Sequence, residues 1–587
     1  MKSILLIFNI MLVTTVLAQP DTIIIGLGGF DGVMVSTSDG DGASTLDESS
    51  FLPNENAASR FLSQASLGHA MADIDSVVMM GYEGWLDAQF AKPIPYSLKD
   101  KAEEYRQFVI AETNGNGTSV RYWWHAWWQY HMTNKDVLRQ RVAFALSEML
   151  VISEESSFSN NGHALSDYYD ILLENSFGNY RDLLEKVSYH PAMGVYLTSL
   201  NNDKTDTIAN RFPDENYARE IMQLFSIGTT MLNNDGSEIL DENELPVPSY
   251  TNDDIVEFAK VFTGLTWWNR VNWGRGYLDL DSWLQPMVMW DDHHDPGEKF
   301  LLNGFVVPDR DPVDGDADIQ DAIDNIFNHQ NVPPFVSRFL IQRLVTANPT
   351  PGFIDRVSNV FVDNGNGVRG DMKAVVRAIL LDEEAKSCEN QSAEFVGSLK
   401  EPFIRYMQIN RAFEVSTLSG VFRNDMRSVY DQTGQRPLAA NTVFNFFQYD
   451  YQPIGPIENE GLVAPVFQIT DAQSIAGYIN GLYRWIYNEN IADEGGIYGG
   501  EPSENYQDEI SMLDFSQGIA LADDENLKEY LDQLNLLLAS GRLSEYSIDI
   551  IYNMITRLEA EDEEDKERRV KVAIYLVMTS PEYLINR

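Results

Sequence analysis

From Asn54 onward, apolar residues recur every three or four positions, the spacing that lines one face of a helix. Phe61, Leu62 and Ala65 form a first short face, closed by Gly68. Between Asn134 and Ile152 the pattern is fuller. Asn134 is placed to cap, and Leu138, Val142, Ala145, Leu146 and Met149 fall on one stripe. The segment Pro213 to Gly228 carries its own start and stop. Asp214 and Glu215 sit where the helix dipole favours negative charge, and Gly228 is suited to the left-handed closing residue. Its stripe is Tyr217, Ile221, Leu224 and Phe225, while Asn216, Arg219, Glu220 and Gln223 share the opposite side. The same periodicity predicts helices at Asn252 to Phe262, Asp318 to His329, Pro334 to Thr346, Gly370 to Asp382, Lys400 to Phe413 and Lys566 to Met578. Strand-like alternation is scarce, confined to Ile23-Ile24-Ile25 and Phe305-Val306-Val307. No repeat of fixed period stands out. The expected fold is mainly α, a large multi-helix array with long loops and little strand.

The first residues obey a different rule. Lys2 gives a positive start, Ile4 to Val16 an apolar stretch, and Val16-Leu17-Ala18 a small-residue cleavage pattern. The stretch is short of the ~20 residues a bilayer span needs. Residues 1–18 therefore read as a signal peptide, 19–53 as a flexible Gly-, Ser- and Asp-rich linker, and 54–587 as the helical domain. The expected destination is secreted or periplasmic, in a bacterium, with no membrane span after signal cleavage. The single cysteine, Cys388, permits no intramolecular disulfide, so stability must come from packing. A net charge of −47 repels nucleic acid and anionic membrane. The acids are scattered along the chain, as suits an acidic protein solvated in salty water.

Absences narrow the chemistry. No histidine is followed by Glu, so the His-Glu-x-x-His zinc helix is missing. There is no Gly-Lys pair for a phosphate-binding P-loop and no Gly-x-Ser-x-Gly nucleophile elbow. What remains is the loop Asp291-Asp292-His293-His294-Asp295-Pro296-Gly297-Glu298-Lys299, whose acids and imidazoles suit a divalent metal (Zn, Mn or Fe) or acid–base work. The metal candidates are His293, His294 and Asp295. The bland alternative is a polar turn that braces neighbouring helices. Two Trp-rich stretches, Arg121 to His131 and Trp267 to Trp290, suit either a core or contact with a glycan.

Several segments carry a resemblance. They are Ala58 to Gly68, Gly81 to Gln89, Leu138 to Ser147, Pro213 to Glu220 running on to Gly228, His294 to Lys299, Arg436-Pro437 with Asn441 to Phe447, and Thr579 to Tyr583. Together, in this order, they resemble the large bacterial family known as domain of unknown function 1800. The resemblance covers almost everything from Asn54 to the end. It implies an exported, mostly helical protein without an established activity, often encoded beside a second exported protein resembling sulfatases. It also draws attention to Asn216, Arg219, Glu220, His294, Asp295 and Lys299, which match the family's polar positions. Some members carry Trp-His-Asn-His where this chain reads Phe144-Ala-Leu-Ser-Glu148, so a metal role resting on those histidines does not transfer.

Two classes of function follow. One is a non-catalytic helical scaffold that binds another exported protein or a surface polymer. The other is an exported hydrolase-type enzyme, metal-dependent or not, joining the Arg219/Glu220 helix to the His294/Asp295 loop. In it Glu220, His294 and Asp295 are catalytic, and Asn216, Arg219 and Lys299 bind substrate.

Overall fold

The computed structural model describes residues 53–113, 119–156, 158, 160–274, 280–386, 396–424, 426–487 and 508–587, with the strand pair β1 (Ile24–Ile25) and β2 (Val33–Met34). The segment read as a signal peptide (1–18), most of the segment read as a linker (19–53), Cys388 and most of the Glu489 to Asp508 stretch lie outside the described residues. Twenty-five α-helices occur among the described residues, and the strands are two residues long, paired in twos. The fold is mainly α, as the periodicity predicts.

The first helix, Glu55–Ala65, starts where the helical spacing begins, and the Asn54 side chain caps it, accepting from Ala57 N at 2.9 Å. Gly68 follows with φ +142°, and a Cβ there would stand 2.8 Å from the Gln408 backbone, so the turn needs glycine. Helix α1 (Arg121–Thr133) is buried along most of its length and lies in the core, with Trp123, Trp127 and Trp128 fully buried. Asn134 closes α1, donating its N–H to Tyr130 O at 3.1 Å. It does not open α2 (Val137–Ser147), whose cap position is Asp136: only a short link separates the two helices, and the polar residue satisfies the earlier one. All but the first residue of α2 are buried, and both helices pack on α3 (Gly162–Asn175).

Helix α4 (Asn216–Gln223) is shorter than its sequence pattern. Glu220 O receives the N–H of both Leu224 and Phe225, and Met222 O those of Ile227 and Gly228, so the regular ladder ends there and Gly228, at φ +69°, turns the chain out. Helix α5 (Asn252–Val261) opens on a Thr251/Asp254 capping box and packs against α4. From it the chain runs through β3 (Leu265–Thr266), paired with β4 (Val288–Met289), then β5 (Lys299–Phe300), paired with β6 (Val306–Val307). Helices α6 (Gly315–Phe327), α7 (Val332–Leu344) and α8 (Pro402–Ala412) follow, the last preceded by β7 (Ser398–Leu399). Helices α9 (Ala472–Tyr487) and α10 (Glu545–Ile555) both pack on α11 (Glu563–Met578). β7 pairs antiparallel with β8 (Ile585–Asn586).

Candidate functional site

The His294 loop runs from β4 to β5 over the start of α6. Its imidazole is 1% exposed: Nδ1 lies 2.9 Å from Thr263 O, and Nε2 3.0 Å from Asp318 Oδ2. Both ring nitrogens are engaged by the protein, so a metal would have to displace one of these contacts. Lys299, equally buried, brings Nζ within 2.5 Å of the same Asp318 oxygen and 3.3 Å of His294 Nε2, while Arg310 binds the other Asp318 oxygen. Burial alone raises the Asp318 carboxyl; hydrogen bonds and charge from His294 and Lys299 outweigh it and hold it below the usual range. Asp295 points elsewhere. Its Oδ2 accepts from Thr205 N at 2.9 Å and Thr205 Oγ1 at 2.6 Å. His293 lies on the outer side, Nδ1 3.0 Å from Asp203 and the ring stacked 4.0 Å from Trp273. Thus the structure unites His294 with Lys299 and adds Asp318 and Arg310, but sends His293 and Asp295 to separate partners. Among the described residues, no group of three or more His, Cys, Asp or Glu side chains is placed to hold a metal ion.

The polar side of α4 divides as well. Arg219 reaches Glu215 at 3.0 Å on a half-exposed surface, and Asn216 sits half-buried with its N–H on Asp214. Glu220 turns inward. It is 6% exposed, its Oε2 has no hydrogen-bond partner, and burial raises its carboxyl against the pull of Arg219. Gln223 accepts from the Tyr250 hydroxyl at 3.0 Å and lines a small cleft of about 140 Å³.

That cleft leads to a cluster for which the sequence gives little signal. Phe335, Phe447, Tyr449 and Asn445 line it together with Glu148 and Arg343. Glu148 follows α2 directly and is fully enclosed. Gln435 Nε2 donates to Glu148 Oε1 at 3.2 Å and to Glu401 Oε2 at 2.6 Å, bridging two acids. Arg343, on α7, holds Nε 3.4 Å from Glu148 Oε2 and lays its guanidinium over Phe447 at 4.4 Å. Burial, then the charge of Glu401, pushes the Glu148 carboxyl well above its ordinary value; Arg343 and Arg141 only partly oppose them. Arg141 and Arg343 come from helices 200 residues apart in the chain, which is why no local spacing announces them. The one available signal is an Arg and a Glu inside otherwise apolar helical segments.

Beside this cluster, Arg436 binds Glu154 at 2.6 Å and lies over the Trp124 ring. Burial raises Glu154 to about 7 despite that partner. Trp124 Nε1 donates to the other Glu154 oxygen at 2.6 Å. The four tryptophans of α1 are therefore core and support, and offer no glycan surface. In the second Trp-rich stretch Trp267 and Trp283 are buried edge to face at 4.9 Å, while Trp268 is exposed.

A family model described as Protein of unknown function (DUF1800) matches residues 60–585. No curated protein and no solved structure matches the chain.

Proposed function

The chain belongs to the DUF1800 family, and we propose that it is a hydrolase-type enzyme, exported by its N-terminal signal, whose general acid is Glu148. The observation that carries this reading is a buried carboxyl group lining a cleft, pushed well above its ordinary value by burial and Glu401. A general acid must keep its proton at the working pH and then release it to a leaving group. Burial and Glu401 supply the first requirement. Arg343, 3.4 Å away, supplies the second by stabilising the carboxylate that proton transfer leaves behind. The aromatic rings and the amides of Gln223 and Asn445 suit one sugar ring or side chain of a polymer, the size the cleft admits. Glu220, one turn before Gln223 and with an unpaired buried oxygen, is the second acid of this reading. The His294–Asp318–Lys299–Arg310 knot is assigned to holding the loop, with no substrate role.

The test is a carbon-13 titration of glutamate carboxyls in the full chain. One resonance, absent from Glu148→Gln, should still report a protonated carboxyl at neutral pH. A Glu148 carboxyl that ionises in the ordinary range would remove the acid and the reading with it. Assay against chromogenic glycosides, peptides and esters then selects the substrate.

A scaffold reading has its own support. Ile475, Ile479 and Tyr483 on α9, and Tyr546, Ile550 and Met554 on α10, are exposed at i, i+4, i+8 spacing. In that reading the partner is another exported protein, of the class resembling sulfatases, and Ile479→Lys with Ile550→Lys abolishes its binding.

A further inference from the structure

Arg343 also lines a second cavity, of about 200 Å³. Arg141, Arg343, Lys400 and Glu401 are among its polar lining residues, and Val466 and Phe467 among its apolar ones. Arg141 is the unusual member. It is 2% exposed, and its Nη2 donates to Arg343 O, but Nε and Nη1 have no hydrogen-bond partner. Arg343 Nε is likewise without a hydrogen bond, its nearest acid oxygen being Glu148 Oε2 at 3.4 Å. The Lys400 ammonium lies 4.0 Å over the Tyr583 ring. Of the acids, Glu401 is engaged by Gln435 at 2.6 Å.

A guanidinium cannot shed its charge, and leaving its N–H groups buried and unpaired costs free energy that packing must offset. Unmade guanidinium donors on residues that line a cavity are the arrangement that recognises an oxyanion, which Arg binds through paired N–H groups. In a chain of net charge −47 this is a local reversal of sign. The volume admits a head group and a few carbons, and the apolar residues suit the carbons.

We infer that the Arg141/Arg343/Lys400 cavity binds a small organic anion, a carboxylate or phosphate head with an apolar body. The inference is separable from the acid role of Glu148 through Arg141, which that role does not use, while Arg343 lines both cavities.

Isothermal titration of the full chain with hexanoate, hexyl phosphate, inorganic phosphate and sulfate tests it. Saturable binding of hexanoate or hexyl phosphate is expected, tighter than inorganic phosphate or sulfate, and the tighter of the two identifies the head group. Arg141→Met should weaken it at least tenfold. Arg141 lies within reach of the charges of Glu401 and Glu148, so unfolding of that variant without ligand is measured alongside, and the next variant carries the test if Arg141→Met does not fold. Val466→Trp, which fills the cavity from its apolar side, should weaken binding while Arg141 stays in place. Glu148→Gln should leave the affinity within about twofold, so that loss of the proposed acid and loss of this site are read separately. Absence of saturable binding by any probe, or affinity unchanged in both Arg141→Met and Val466→Trp, overturns the inference.

Discussion

Asp318→Asn is the perturbation that separates a structural His294 loop from a working one. In the wild type one carboxylate meets three groups: His294 Nε2 at 3.0 Å, Lys299 Nζ at 2.5 Å and Arg310. His294 and Lys299 are each 1% exposed, so neither reaches water when the carboxylate goes. Removing one partner of such a buried pair costs about 3–5 kcal/mol, because the remaining charge stays buried and uncompensated. Asp321→Asn is the internal control. It removes a partner of the same Arg310 at 2.5 Å, but where the side chains are 23% and 32% exposed, and the expected loss is at most about 1 kcal/mol. Equilibrium urea unfolding followed by tryptophan fluorescence measures both. The pH dependence adds a signature. The Asp318 carboxyl is held below its unfolded value, so its contribution is complete above the unfolded value and is lost as pH falls through the folded one. Asp318→Asn should therefore flatten the acid limb of the stability curve, and the gap to wild type should close at low pH. A loss under about 1 kcal/mol for Asp318→Asn, or equal losses for the two variants, would refute the bracing role.

Trp127→Ala removes a fully buried indole stacked 3.5 Å from His131 and should cost about 3–5 kcal/mol in unfolding, with no change in affinity for any glycan. Gly68→Ala forces a side chain to φ +142° and within 2.8 Å of the Gln408 backbone; thermal and urea unfolding should both show a loss above about 1 kcal/mol. Asp170 is raised by burial to about 8 while accepting from the N–H groups of Leu98 and Lys99. A raised carboxyl binds its proton more tightly when folded, so its contribution weakens as pH rises from about 4 to about 8. The stability of Asp170→Asn should improve relative to wild type across that window, and a constant difference would exclude the shift.

The sequence by itself determined the class of fold. Apolar residues at helical spacing can bury only one stripe, so Tyr217 and Ile221 on α4, or Ile319, Ala322 and Ile326 on α6, commit their segments to helices before any contact forms. It also determined a local closure, Gly228 as a stop, which depends on a few neighbouring backbone groups. Periodicity, however, says only which side of a helix is apolar. Whether a polar residue on it meets a partner or water depends on segments far away in the chain. Glu220 and Arg219 are adjacent, yet one is buried with an unpaired oxygen and the other half-exposed. His294 and His293 diverge in the same way, toward Asp318 and toward Asp203. The Glu148, Glu401, Arg141 and Arg343 cluster was illegible for the same reason. Each member looks like an ordinary helix surface charge until three distant segments close over it, and desolvation, a property of the assembled core, changes what those charges do.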